Sequence, residues 1–178
     1  MKSALIVVDM LNEYDHEDAE VLVESVRAVL PAMRGLVERA QQEATPVVYV
    51  NDNYGDWGAG RPEIVARAIA GRAADLVEPI APAEGTWFIS KARHSIFYET
   101  QLEYLLREQG VERVVLVGQV TEQCILYSAL DAYVRHFTVA VPCDAVAGIH
   151  GDLADAALRM MERNMRADVT KAEDCTLG

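Results

Sequence analysis

Three residues of this chain are of the right kinds, and in the right settings, to do chemistry together: Asp9, Lys91 and Cys124. Cys124 closes the heptapeptide Gly118-Gln119-Val120-Thr121-Glu122-Gln123-Cys124. The run Val114-Val115-Leu116-Val117 before it reads as a buried strand. The segment after it, residues 125–136, carries Ile125, Ala129, Ala132 and Tyr133 at helical spacing. The heptapeptide is therefore a strand-to-helix turn, with Thr121 expected as the N-cap and Cys124 in the first helical turn. Unpaired N–H groups and the positive end of the helix dipole favour an anion there. The expectation is a thiol of depressed pKa, able to attack a carbonyl carbon. The same N–H groups would hold the oxyanion that forms. The competing reading of Cys124 is a small buried hydrophobe under the sheet.

Asp9 closes the apolar run Ser3-Ala4-Leu5-Ile6-Val7-Val8, the pattern of a central parallel strand ending in a carboxylate. Lys91 follows the strand-like Thr86-Trp87-Phe88-Ile89-Ser90 in the same way. Taken singly, Asp9 is as readily a turn acid and Lys91 a solvated strand exit. Taken together they complement a thiol, because a lysine near both an acid and a sulfur stabilises the thiolate and orients the acid.

The elements that must position these residues alternate along the chain. Residues 18–43 are helical in pattern, and Pro31 is expected to divide or kink them. Residues 46–50 read as a strand leading into a loop, 51–60, rich in Gly, Asn and Asp. A helical piece at 63–72 precedes Pro79 and Pro82, which end regular structure, and a second helix at 99–109 stops at Gly110. A strand at 137–141, a turn at 142–148, a helix at 152–164 and a short edge strand at 167–169 complete the series. Alternating strands and helices imply a parallel sheet of about six strands with helices on both faces. Asp9, Lys91 and Cys124 then all stand at C-terminal strand ends, on one edge of the sheet, where open α/β sheets bind ligands. With no internal repeat or linker, residues 1–178 are expected to form one domain.

Composition narrows the function. A formal net charge of −12 argues against nucleic acid and anionic membrane surfaces as partners. No apolar run approaches the ~20 residues of a membrane span, and the apolar run 4–8 is too short for a signal peptide. Cys124, Cys143 and Cys175 are odd in number and widely spaced, which implies neither a disulfide framework nor a zinc motif and points to a reducing cytoplasm.

The ordered set Leu5-Ile6-Val7-Val8-Asp9-Met10, Lys91-x-x-x-Ser95-x-Phe97 and Gly118-x-Val120-Thr121-Glu122-x-Cys124 resembles the isochorismatase-like cysteine hydrolase superfamily. Ser128-Ala129-Leu130-Asp131-Ala132 and Asp144-Ala145-Val146-Ala147 extend the resemblance over nearly the whole chain. It implies a Rossmann-like three-layer α/β/α fold and a catalytic triad matched here by Asp9, Lys91 and Cys124. It also implies a cis peptide between Gln119 and Val120, and an oxyanion hole made by the N–H groups of Val120 and Cys124. The family usually has Val or Ile where this chain has Gln119. The chemistry implied is hydrolysis of a small amide, carbamoyl or related C–N substrate through a thioester-type intermediate. Isochorismatases proper, by family pattern, lack the nucleophilic cysteine. Nicotinamidase-like members carry Asp-x-His and a further His as a metal site. Here the segment reads Asp52-Asn53-Tyr54, and His16, His94, His136 and His150 show no ligand spacing, so no metal and no other cofactor is expected. Tyr14, Asn53, Trp57 and Trp87 are expected to line the substrate pocket. The partners expected are a small-molecule substrate and further copies of the chain, as a homo-oligomer. A non-catalytic binding or assembly protein and a redox-sensing thiol protein are the alternatives.

Overall fold

The computed structural model describes all 178 residues. Its centre is β1 (Ser3–Val8), buried along its whole length. On one side β1 pairs with β2 (Val47–Asp52), which pairs with β3 (Trp87–Lys91). On the other it pairs with β4 (Arg113–Gln119), which holds β5 (Thr138–Ala140) and the two-residue β6 (Val146–Ala147). Every pairing is parallel, and the order is β3-β2-β1-β4-β5 with β6 also on β4.

The alternation of side chains along β1 builds two cores, one on each face. Leu5 and Val7 join Leu22, Val26, Met33 and Leu36 of α1 (Ala19–Gln42). This face also carries α2 (Arg61–Ala70) and the short α3 (Ala74–Val77). Ala4, Ile6 and Val8 join the opposite face, under α4 (Leu102–Glu108), α5 (Leu126–Val134) and α6 (Gly151–Met165). The layers are thus α/β/α, as the alternation of elements implied.

Pro31 does not divide α1, which runs unbroken from Ala19 to Gln42. Pro31 and Arg27, whose carbonyl loses its usual donor, both lie on the solvent face, where the loss of that bond is least costly. The expected edge strand at 167–169 is reduced to a single bridge, Ala140 to Asp168. The turn at 142–148 conceals β6, whose two residues are too few to show alternation.

Succeeding strands β2 and β3 lie to one side of β1, and β4 and β5 to the other, so the strand order reverses at the β1–β4 seam. Crevices for ligands form outside the carboxyl ends of strands at such a reversal. Asp9 follows β1 and Cys124 follows β4. Backbone approach at the seam is close: a Cβ on Gly118, whose φ is +118°, would sit 2.1 Å from the Val8 carbonyl oxygen.

Candidate active site

Asp9 leaves β1 on left-handed backbone, φ 54°, an arrangement that costs a non-glycine residue of order 1–2 kcal/mol and turns the chain over the sheet end. Lys91 is the last residue of β3 and pairs in register with Asp52, the last of β2. Its fully buried side chain reaches past β2 to place Nζ 2.8 Å from Asp9 Oδ2. The same Nζ lies 3.6 Å from Asp52 Oδ2 and 3.7 Å from Cys124 Sγ. The Asp52 N–H donates to Asp9 Oδ1 at 2.7 Å, which fixes the carboxylate plane. Gln119 Nε2 donates to the Asp9 carbonyl at 2.7 Å, and the Tyr14 hydroxyl donates to Gln119 Oε1 at 3.3 Å.

Cys124 sits in a wide turn of π type, Thr121–Ile125, closed by the Ile125 N–H on the Val120 carbonyl at 3.1 Å. The Gln119–Val120 peptide is cis. Val120, with extended backbone, occupies the capping position expected for Thr121, and no side chain caps the turn. Glu122 accepts the Ile149 and His150 N–H groups at 2.9 and 2.7 Å, tying the turn to the start of α6.

The electrostatics differ from the expectation of a depressed thiol pKa. Burial pushes the Cys124 thiol up to about 12, with the Asp9 charge adding to the effect; Lys91 and the Val120 N–H pull the other way and do not prevail. The helix start is outweighed because the sulfur is desolvated beside a carboxylate. Burial also raises Asp9 despite the neighbouring Lys91 ammonium. For Lys91 burial opposes the charge, but attraction to Asp9 and Cys124 wins and its pKa rises. Burial thus favours the protonated form at both Cys124 and Asp9, while Lys91, 2.8 Å from Asp9 Oδ2, favours the carboxylate.

A cavity of about 330 Å³ opens onto the sulfur, with Asp9, Asp52, His94, Val120 and Gln123 among its walls. His94 Nδ1 lies 3.7 Å from Sγ, and its ring packs against Tyr127 at 5.5 Å between centroids. A second cavity of about 730 Å³, with Lys91 in its wall, shares Asp52 with the first. No group of three or more His, Cys, Asp or Glu side chains is arranged to hold a metal ion.

Of the residues singled out from sequence, Asp9, Lys91, Cys124, Gln119 and Val120 come together. The pocket-lining residues do not follow them. Tyr14 is buried and spends its hydroxyl on Gln119, outside the cavity wall. Asn53 accepts the Gly55 N–H and, like the highly exposed Trp57, borders the larger cavity rather than that of Cys124. Trp87 opens β3, four residues before Lys91, and so stands at the opposite end of the sheet. Its aromatic character carried no information about which strand end it occupied. Asp52 and His94 are the additions; Asp52, as the last residue of β2, repeats the strand-end carboxylate signal of Asp9.

The sequence matches the isochorismatase domain over residues 3–174. It is 35% identical to the uncharacterized isochorismatase family protein YaaI of Bacillus subtilis over 96% of this chain and 94% of that one. It is 32% identical to a maleamate amidohydrolase of Pseudomonas putida over 88% of this chain and 78% of that one. The fold superimposes on the crystal structure of N-carbamoylsarcosine amidase from Thermoplasma acidophilum with a TM-score of 0.76 and 31% identity, covering 100% of both chains. The strand-end acid, lysine and thiol thus sit in a chain that belongs to the isochorismatase family of hydrolases.

Proposed function

We propose that this protein is a cysteine-dependent hydrolase of small amide or carbamoyl compounds, with Asp9, Lys91 and Cys124 as its catalytic triad. The observation that carries the reading is the convergence of a thiol, a carboxylate and an ammonium within 4 Å at the strand-order reversal. The resemblance to the maleamate and N-carbamoylsarcosine enzymes supports the C–N bond as the target. As Sγ attacks the carbonyl carbon, Asp9 takes the thiol proton and the C–S bond forms. The N–H groups of Val120 and Cys124 receive the oxyanion, and Lys91 compensates the charge on Asp9 until it is neutralised. Collapse breaks the C–N bond, and Asp9 returns its proton to the departing amine. Asp9 then draws a proton from water, which attacks the thioester and releases the acid, and the thiol is restored.

A thiol pushed up to about 12 disfavours redox sensing, which needs a standing thiolate. A general base that moves the proton only during attack has no such need. The homo-oligomer belongs to the same proposal and has a surface to form on: Tyr127, Leu130, Tyr133 and Val134 stand exposed along α5. All three cysteines are free, as suits a reducing cytoplasm, and no helix is long and apolar enough to cross a membrane.

The test is ammonia release across a panel of primary amides and carbamoyl compounds, with acid quenching and mass spectrometry of the Cys124 peptide. The expected result is turnover, a covalent acyl adduct on Cys124, and loss of both in Cys124→Ala. Turnover undiminished in Cys124→Ala would end the reading.

A further inference from the structure

Resting on the amidohydrolase reading, we infer that the substrate of this site is a small amide bearing a neutral or cationic group beyond the scissile carbonyl, and not a carboxylate. The cavity at Cys124 has three carboxylates in its wall, Asp9, Asp18 and Asp52. Asp9 and Asp52 share one ammonium between them, that of buried Lys91. Asp18, at the exposed start of α1, enters no ion pair.

No arginine and no lysine lines this cavity; its basic groups are His16 and His94. A planar guanidinium is the usual partner of a substrate carboxylate, because it makes two parallel N–H···O bonds. Arg93 borders the neighbouring cavity, where it and Lys91 face Asp52, Asp56 and Glu99, so that approach carries no excess of positive charge. A cleft lined by one sign of charge gathers ligands of the other sign and repels its own. The formal net charge of −12 does nothing to offset this. A volume of about 330 Å³ limits the occupant to a small molecule.

Charged thiol reagents test the field at the sulfur without reference to turnover. Cys124 of the intact protein is treated at pH 8 with ammonium-bearing and sulfonate-bearing ethyl methanethiosulfonate, and its peptide is followed by mass spectrometry. The cation-to-anion rate ratio is expected to exceed that of a small free thiol by at least tenfold in low salt. It should fall severalfold in 0.5 M sodium chloride and in Asp18→Asn, which keeps the shape of the α1 start. A ratio no greater than that of the free thiol, or one indifferent to Asp18→Asn, overturns the inference.

Ammonia release from β-alaninamide, succinamide and succinamate, which share a two-methylene spacer next to the amide and differ in charge, gives the second measurement. Succinamate is expected to be the poorest by at least tenfold in kcat/KM, with the gap narrowing in Asp18→Asn. Succinamate as the best of the three overturns the charge inference and leaves the amidohydrolase reading intact. A preserved labelling ratio with no ammonia from any amide supports the charge inference and removes the amidohydrolase reading.

Discussion

At the scale of single residues, the site turns on which group holds the proton. Burial and the Asp9 charge together keep the Cys124 thiol protonated. Asp9→Asn removes the charge and keeps the shape, so the thiol pKa falls. Alkylation of Cys124 by iodoacetamide at pH 9 is expected to rise about tenfold for each unit of that fall, up to the pH itself. Ammonia release should drop by about 10²–10⁴-fold in the same variant, because the base is gone. Faster labelling with slower turnover is a combination that general damage to the site would not give. Lys91→Met works the other way. It leaves the Asp9 carboxylate buried without its partner at 2.8 Å and removes the cation that lowers the thiol pKa. Urea unfolding at pH 7 should show a loss of about 3–5 kcal/mol, the usual cost of breaking a buried pair from one side. Labelling of Cys124 at pH 9 should slow. Stability within about 1 kcal/mol of the parent would show that water, not Lys91, solvates Asp9.

At the scale of elements, the β1–β4 seam sets the geometry. Val8 and Gly118 are partners in register, one residue short of Asp9 on β1 and six short of Cys124 on the chain leaving β4. A Cβ at Gly118 would sit 2.1 Å from the Val8 carbonyl oxygen on backbone of φ +118°. Gly118→Ala must therefore spread the two strands, at a cost of about 2–5 kcal/mol from overpacking and unfavourable backbone together. Urea unfolding reads the loss, and ammonia release should fall with it, since Asp9 and Cys124 are carried on the strands that part. Much of this frame was legible in the sequence. Apolar runs ending in Asp9 and Lys91 marked strand ends, because a buried parallel strand needs an unbroken apolar stretch and a strand end is where polarity returns. Registers were not legible, and the misplacement of Trp87 followed from that: the same strand offers its two ends to opposite edges of the sheet. The form of the turn was hidden too. A Thr three residues before a Cys looks like a helix cap, but the π-type closure on Val120 depends on the neighbours of β4, not on local propensity. The thiol pKa was misjudged for the same reason, since the dipole of one turn is local whereas burial is set by three strands meeting.

At the scale of the whole molecule, groups that resist deprotonation in the folded state tie stability to alkaline pH. Burial raises Cys124 to about 12 and, through desolvation, Tyr14 and Tyr49 to about 12 as well. Each is held above its unfolded value, 9.0 for the cysteine and 10.0 for the tyrosines. Between the unfolded and folded values the native state binds more protons than the unfolded one, so stability falls as pH rises. One such group costs about 1.4 kcal/mol per pH unit. From pH 9 to 10 Cys124 acts among these three alone; above pH 10 all three act and the slope steepens to about 4 kcal/mol per unit. Lys91 and Cys175, also raised, push in the same direction. By pH 11 the three sum to roughly 5–6 kcal/mol, a loss comparable with the whole stability of many domains. Cooperative alkaline unfolding is therefore expected near pH 11, measured by circular dichroism. Cys124→Ala isolates the thiol's share. It loses packing at every pH but gains back about 2 kcal/mol relative to the parent on going from pH 8 to 10.5, where 1.5 units of the thiol's range have been crossed. A difference between parent and variant that stays constant from pH 8 to 10.5 would place the sulfur in an ordinary, solvated environment, and the proton that Asp9 is to take would then leave without its help.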